Sequence, residues 1–545
     1  MKLAGVFSSV VAKFLSKAPA FAFSFAVAAF AWLRFSDNTA DNDLWGHVLY
    51  GQRMLALGHL EKADPFSWTA AGAPWINHEV LAEIALGAVH RAAGGNGLWL
   101  LAVAVAGLTL VIALRAGRRT APEKGIGLVQ AALLAASTNG IAMGFSVRPQ
   151  LFTMLALVIW LGQMRALERG ARWPLAALPL LALNWINTHG GVLAALVLLG
   201  LAAAVTLVVA WLPGQGADRI FLRPPRGLGA RFAAAFGLCL ASSLVTPWGP
   251  ASLRWLIESV GFPRPEITEW RPTPFDFSHA AFWVAAAISL IAWIASRRGR
   301  SAWEAATVVL LLAMAWRHQR HIPLFLLANL VLTPPHLLDL FRRIGPQVSR
   351  LRSSLQNAVV RGVAVLALIA AGAAAMAASF SPPKENPWTI EIERDLFPCA
   401  ALDFLRDHPL PGNLLVFFDW GQQAMWELPQ NPVSFDGRFD TVYPRAVIEA
   451  HWRFYRGENP DPSVLDLRRA DVALLPSAGA GGELLLKSGW TLVYSDPLAS
   501  VWVRALPAHP SLEGLPLPIR ENGAATEGRE DFPQESSPRA GPENF

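Results

Sequence analysis

The stretch GVLAALVLLGLAAAVTLVVAWL, residues 191–212, carries no charged side chain and a single hydroxyl, Thr206. A run of this length crosses the ~30 Å hydrocarbon core of a bilayer as a helix. Further apolar runs lie at 19–34, 96–114, 126–145, 149–164, 173–187, 230–247, 279–296, 302–316, 321–338 and 362–379. Together they predict about eleven transmembrane helices, of which those near 173 and 302 are short enough to be re-entrant. The amphipathic stretch 79–93 reads as a surface helix or an extra span. Composition agrees, with 53% apolar and 16% charged residues over 545 positions, where a soluble protein has about a quarter charged. A soluble enzyme is excluded.

The connections alternate in charge as the positive-inside rule requires. Lys2, Lys13 and Lys17 share one side with Arg115, Arg118, Arg119 and Lys124, with Arg165, Arg169 and Arg172, with Arg219, Arg223, Arg226 and Arg231, with Arg297, Arg298 and Arg300, and with Arg342, Arg343, Arg350, Arg352 and Arg361. That side is read as cytoplasmic, so an odd number of spans places everything after residue 380 outside. The excess of 46 Lys and Arg over 40 Asp and Glu then belongs to topology, and no nucleic-acid partner is implied. AVAAFA (26–31) mimics a signal cleavage site, but the basic start and Arg34 directly after it read as a retained anchor. Cys239 lies in an apolar run and Cys399 in the soluble part, which excludes a disulfide framework and a zinc–cysteine site.

The expected organisation is a membrane domain over 1–380 with a first outer loop at 36–93, a soluble outer domain over 381–506, and a disordered tail over 507–545. LLVFF (414–418), VALLP (472–476), TLVYS (491–495) and SVWVR (500–504) read as strands of a mixed α/β domain. The tail is rich in Pro, Gly, Glu and Ser and lacks an apolar face.

On the outer side, polar residues gather where orientation does not explain them. Asp41 and Asp43 follow the first span, and Asp43 and His47 stand four apart, on one face of a short helix. Such a group suits a general base or a pair of ligands for a divalent cation such as Mg or Mn, and equally the capping of a helix start. His78 and Glu79 open the amphipathic stretch, with Trp68 and Trp75 in position for an interfacial belt. Three short outer turns bring Arg148 and Gln150, then Asn187 and His189, then Arg317, His318, Arg320 and His321. Cations on the outer face invite a phosphate, which guanidinium binds bidentately, or snorkelling to lipid headgroups. Glu266, Glu269 and Asp276 in the long loop 248–279 either face the same place or are solvated. Asp419 and the Asp436, Arg438, Asp440 group sit at strand ends of the outer domain, in a structural or acceptor-binding role. No Walker loop, dinucleotide fingerprint or zinc-protease helix is present, so any activated group arrives already activated, most simply on a lipid.

DNDLWGHVLYGQRMLALGHLEKADPFSWTAAGAPWINHEVLAE (41–83), followed by RPQLF (148–152), NWINTHGG (184–191), VTPWGP (245–250), RHIPLF (320–325), DWGQQAMWELP (419–429) and FDGRFD (435–440), resembles a group of bacterial polytopic membrane proteins similar to the GT-C glycosyltransferases. The resemblance implies a GT-C-like helical membrane fold with an outer C-terminal α/β domain in the bacterial inner membrane. It implies a polyprenyl-phosphate-linked sugar donor and a glycan, lipid or protein acceptor. It implies that Asp43 is the essential acid after the first helix, with Asp41, His47, His78 and Glu79 lining its cavity and a divalent ion on Asp41 and Asp43 left open. Arg148, Arg317, Arg320, His189 and His321 would then meet the carrier phosphate, on the charge argument alone. Competing readings are a transporter or assembly component of envelope synthesis, and a ligase for lipid-linked polymers.

Overall fold

The computed structural model describes residues 2–120, 123, 125–212, 221–344, 358–380 and 385–533. Lys124, Arg219, Arg350, Arg352 and the tail from 534 onward lie outside the described residues.

Among the described residues, fourteen α-helices belong to the first part: α1 (Lys2–Phe35), α2 (Leu44–Leu57), α3 (Val80–Thr120), α4 (Ile126–Ala142), α5 (Gln150–Glu168), α6 (Pro174–Ile186), α7 (Val192–Trp211), α8 (Leu228–Ser242), α9 (Pro250–Val260), α10 (Ala280–Ala295), α11 (Ala302–Arg317), α12 (Ile322–Leu332), α13 (Pro334–Ile344) and α14 (Ala358–Ala378). Every apolar run of the sequence falls on a helix. Among the described residues, α3, α5, α7 and the Lys17–Phe35 part of α1 are long and apolar enough to cross a bilayer. The pair Gln319–Leu332 and Pro334–Ile344, bent by 61°, is either one broken span or a re-entrant loop. Prolines 334 and 335 start the second arm, where a missing amide proton costs nothing. The remaining apolar helices are shorter. The chain is thus a helical, membrane-type protein, and helix length alone supports four or five crossings.

The basic connections collect at one end of the bundle. There Glu123 accepts from Arg298 at 2.7 Å and also pairs with Arg342, Ser301 donates to Glu168 at 2.7 Å, and Leu222 donates to the Arg300 carbonyl at 2.7 Å. At the other end the acidic and histidine-bearing connections meet beneath the C-terminal region. The segregation that hydropathy and charge predict is therefore two-ended in space.

α3 is broken at Ala93 and Gly94, where Gly94 takes φ 53° and ψ −148°, a conformation that L side chains avoid. The break turns the expected amphipathic stretch into a separate arm. That arm packs beside α2 because two glycines face each other. A Cβ on Gly51 would overlap the Glu83 carbonyl, and one on Gly87 would lie 2.5 Å from the Gln52 amide. The contact places His47, one turn before Gly51, opposite Glu83, one turn before Gly87.

The C-terminal region holds β1 (Glu391–Glu393), α15 (Cys399–Asp407), β2 (Leu414–Val416), α16 (Gly421–Glu427), α17 (Arg445–Tyr455), β3 (Val472–Pro476), α18 (Ala480–Lys487), β4 (Thr491–Ser495), β5 (Ala499–Val503), β6 (Ile519–Arg520) and β7 (Arg529–Asp531). Five strands form a mixed sheet in the order β2-β3-β5-β4-β6, with β2 and β3 parallel and β5 antiparallel to both β3 and β4. All four strands expected from sequence are present.

Two expectations need correction. Residues 507–533 are not a disordered tail: β7 pairs antiparallel with β1, and Phe532 is fully buried against Trp45 and Trp426. Buried Phe532 and Leu512, with the pairing of β7 to β1 and β6 to β4, anchor a segment whose polar composition suggests disorder. Trp68 and Trp75 form no interfacial belt, because both are buried. Trp75 joins Trp45, Tyr50 and Phe66 in one core with Phe397, Trp426 and Phe435 of the C-terminal region. The first loop and the soluble region are therefore a single packed body, stitched by Trp68 N–H to Val433 O and Val433 N–H to Phe66 O, each 3.0 Å.

The deepest link is ionic. Arg438 reaches Asp64 at 2.5 Å and grips Asp436 through two nitrogens, at 2.7 and 2.9 Å, with all three side chains buried. Its guanidinium lies among the rings of Tyr50, Phe66, Trp75 and Tyr443, at 5.0 to 5.8 Å. The FDGRFD turn is structural here: Arg438 binds Asp64 of the first loop, Asp436 accepts from Arg438 and Tyr443, and Asp440 pairs with Arg264 at 2.8 Å.

Candidate active site

Asp43 stands at the N-cap of α2, but its carboxylate makes no cap hydrogen bond. Asp41 does the local work, its Oδ1 accepting the Asp43 N–H at 3.1 Å. The Asp43 side chain is thereby left to Arg148, whose Nη2 lies 2.5 Å from Oδ2. Arg148 projects from the short connection between α4 and α5. It also approaches Asp41 Oδ1 at 3.5 Å and Glu269 Oε2 at 3.8 Å. Glu269 in turn meets Arg320 Nη1 at 3.4 Å. An unbroken ionic chain thus runs from the exit of α1 to the turn before α12. Its members keep between 16% and 28% of their side-chain surface exposed, which makes this a solvent-reachable crevice.

Trp270 supports the cationic end. The guanidiniums of Arg320 and Arg264 lie 4.3 and 4.4 Å from its ring centre. Arg264 is committed to Asp440 and Ser259. Arg320 has the single carboxylate partner Glu269 among the described residues and retains donors for an anion.

Beside this chain lies a second cluster built on Glu79. His47 Nδ1 is 3.3 Å from Glu83 and 4.0 Å from Glu79, while His78 Nε2 and His189 Nε2 stand 3.7 and 3.8 Å from Glu79 Oε1. Asn77 orders both acids, donating to Glu83 at 2.5 Å and accepting the Glu79 N–H at 2.9 Å. His189 Nδ1 accepts from the Gly191 amide at 3.0 Å, which leaves the ring proton on Nε2, facing Glu79.

Burial and charge set the protonation states. Burial pushes Glu79 up to about 7, helped by Glu83 and opposed by His47 and Arg148. Burial would lower His47, yet the hydrogen bond with Glu83 and the charge of Glu79 hold it above the usual imidazole range. His78 is held at about 3 by burial and by the charges of His47 and Arg320. Burial likewise keeps His189 neutral. Asp43 is raised by burial, which outweighs the guanidinium of Arg148. Glu269 stays low despite burial because Arg320 and Arg148 face it. A carboxyl that titrates near neutrality beside a protonated imidazole is typical of a working site.

Of the residues singled out by sequence, the structure assembles Asp41, Asp43, His47, His78, Glu79, Arg148, His189 and Arg320. His321 lies at the edge, bonded through Nδ1 to the Met314 carbonyl at 3.2 Å. Arg317 is exposed at the end of α11 and has no ion pair among the described residues, so it does not join the cluster. It and Arg320 stand on either side of the helix break, so their neighbourhood in sequence does not carry into space. The expected ion site on Asp41 and Asp43 has a guanidinium against both carboxylates, while ligand-type atoms converge on His47, Glu79 and Glu83 instead. Glu83, Asn77, Gln422 and Gly437 were not foreseen. Glu83 alone left a trace, its spacing of four from Glu79.

The C-terminal region reaches into the crevice. Gln422 Oε1 accepts the Gly46 N–H at 3.1 Å, and Asn42 donates to Asp419 at 3.1 Å. Gly437 abuts the Asp43 carboxylate so closely that a Cβ would overlap it.

No family model and no curated protein matches the chain. Solved structures do. The oligosaccharyltransferase of Archaeoglobus fulgidus in its apo form superposes with a TM-score of 0.53 at 12% identity, over 89% of this chain and 74% of that one. The same enzyme tethered to an acceptor peptide containing the NVT sequon gives 0.51 at 12% identity, over 90% and 74%. This chain has the GT-C fold. ArnT from Cupriavidus metallidurans, bound to undecaprenyl phosphate, aligns at a TM-score of 0.49 and 14% identity over 90% of this chain and 98% of that one. The expected resemblance thus holds at the level of the fold, with the Asp43 crevice lying where the helical bundle meets the C-terminal region.

Proposed function

We propose that the protein is a membrane glycosyltransferase that moves a sugar from a polyprenyl-phosphate-linked donor to an acceptor on the non-cytoplasmic face of the bacterial inner membrane. The observation that carries this reading is the ionic chain from Asp43 through Arg148 and Glu269 to Arg320, which sets a buried carboxylate and a phosphate-ready guanidinium along one crevice of a GT-C fold. The acceptor hydroxyl attacks the anomeric carbon, its proton passes to the Asp43 carboxylate, and the bond from the anomeric carbon to the phosphate oxygen breaks. The departing phosphate gains negative charge, which Arg320 stabilises. Arg148 aims the Asp43 carboxylate, while burial raises its affinity for the proton it receives. The C-terminal region closes the crevice beside Asp43, which suits a role in holding the acceptor. The positive charge on the opposite end of the bundle supports the outward orientation.

The test uses the full chain in nanodiscs with a panel of polyprenyl-phosphate hexoses and pentoses, with envelope extract as the acceptor source. Release of polyprenyl phosphate from at least one donor is expected, abolished by Asp43→Asn in protein that inserts and unfolds like wild type. Donor that is untouched throughout, or consumed equally by the Asp43→Asn variant, overturns the reading.

A further inference from the structure

We propose that the loop 271–279 is inserted in the bilayer leaflet on the crevice side, with Phe275 and Phe277 among the acyl chains and Trp316 and Arg317 at the lipid headgroups. Phe275 and Phe277 are 87% and 94% exposed, the two most exposed large apolar side chains among the described residues. Neither sits on a loose end. Thr273 donates its N–H to the Trp316 carbonyl at 2.9 Å and its hydroxyl to the Ala315 carbonyl at 2.5 Å. Trp283 Nε1 donates to the Pro274 carbonyl at 2.9 Å, and the Phe275 ring packs 5.4 Å from that of Trp283. The loop is thus fastened across the ends of α10 and α11, and its two phenylalanines are held outward. Asp276, between them, is tied back: it accepts the His279 N–H at 3.0 Å and pairs with the imidazole at 2.8 Å.

Three observations name lipid as the partner. First, the exposed rings continue an apolar helix surface. Val284, Ala287, Ile291 and Ile294 recur along one face of α10, all exposed, as do Val309, Ala313 and Trp316 along α11. Phe275 and Phe277 prolong the α10 face beyond its first turn, where the Ala280 N–H meets the Phe277 carbonyl at 3.1 Å. Second, both helices are short for a bilayer. Each has 16 residues, about 24 Å of helix at ~1.5 Å per residue, against a hydrocarbon core of ~30 Å. A short apolar helix leaves part of that layer to its flanking residues, and a fixed pair of phenylalanines fills it. Third, Arg317 is exposed, has no ion pair among the described residues, and follows Trp316 at the end of the α11 face. A guanidinium and an indole at the end of an apolar stripe reach headgroup level, the cation meeting lipid phosphates. The segment just before the loop holds Glu269 and Trp270, which brace Arg320. Insertion therefore fixes the crevice at headgroup depth, a consequence that rests on the proposed function, whereas the insertion itself does not.

The test uses the full chain in bilayers of phosphatidylethanolamine and phosphatidylglycerol, with a nitroxide on the Phe277→Cys variant. Cys239 and Cys399 are buried, and wild type treated alike verifies that they take no label. Collisions of the nitroxide with oxygen, which concentrates among acyl chains, and with a water-soluble nickel chelate report its depth. The oxygen-to-chelate ratio is expected to shift to that of labelled Val309→Cys, on the exposed face of α11, and away from that of labelled Ala478→Cys, in an exposed turn of the C-terminal region. A ratio nearer to the Ala478→Cys value overturns the proposal. So does spin–spin broadening between labels, which would show a second copy of the chain covering the loop. Should Phe277→Cys fold poorly, Phe275→Cys gives the same reading. Donor and acceptor take no part in the measurement, so its failure and that of the proposed function are distinguishable.

Discussion

Gly437→Ala places one methyl group where the C-terminal region touches the catalytic candidate. The new Cβ would overlap Asp43 Oδ1 and lie 2.5 Å from Gln422 Nε2, where heavy atoms normally keep about 3.5 Å. Both obstacles are side-chain ends, so they move and the backbone stays. Asp43 must shift by roughly an ångström to clear the new methyl, which disturbs its 2.5 Å contact with Arg148. A misplacement of that size in a reacting group costs about 10²-fold in rate, or about 2.7 kcal/mol. Stability should change little, because replacing glycine by alanine also lowers unfolded-chain entropy by about 0.4 to 1 kcal/mol. Initial rates of donor consumption and thermal unfolding in the same detergent read the two effects separately. A Gly437→Ala enzyme within about threefold of wild type would refute the claim that the C-terminal region positions Asp43.

Arg438→Met should destabilise the joint between the first loop and the C-terminal region by about 3 to 5 kcal/mol, because Asp64 and Asp436 keep their hydrogen bonds but are left buried without a counter-charge. Thermal unfolding and faster proteolysis within residues 58–79 would register it, and a stable, protease-resistant variant would show the ionic link to be dispensable. Arg320→Ala should raise the donor KM by roughly tenfold or more, the worth of a charge-assisted bond to phosphate. Arg317→Ala should leave it unchanged, and the reverse ranking would place the phosphate at the wrong arginine.

How far the sequence reaches follows from the range of each interaction. Hydropathy is local, so the runs from 19 to 379 each found a helix, and the short apolar runs VALLP and TLVYS between turn residues found strands at the same residues. Side-chain chemistry is local too, and Asp43, Glu79, Arg148 and Arg320 stood out because a charge beside an apolar run needs a reason. Partnership is not local. That Arg148 faces three acids, that Arg320 enters while Arg317 stays outside, and that Trp68 and Trp75 serve a core rather than a membrane surface all follow from contacts between segments far apart in the chain. The closeness of His47 and Glu83 depends on two glycines that look unremarkable in sequence, since a glycine reveals what approaches it when the neighbouring backbone is in place. Sequence by itself determined that this chain belongs in a membrane and which charged side chains are candidates for its chemistry. Tertiary structure decided which of those charges neutralise one another, because Coulomb energy in a buried crevice depends on distances of a few ångströms that no local pattern encodes.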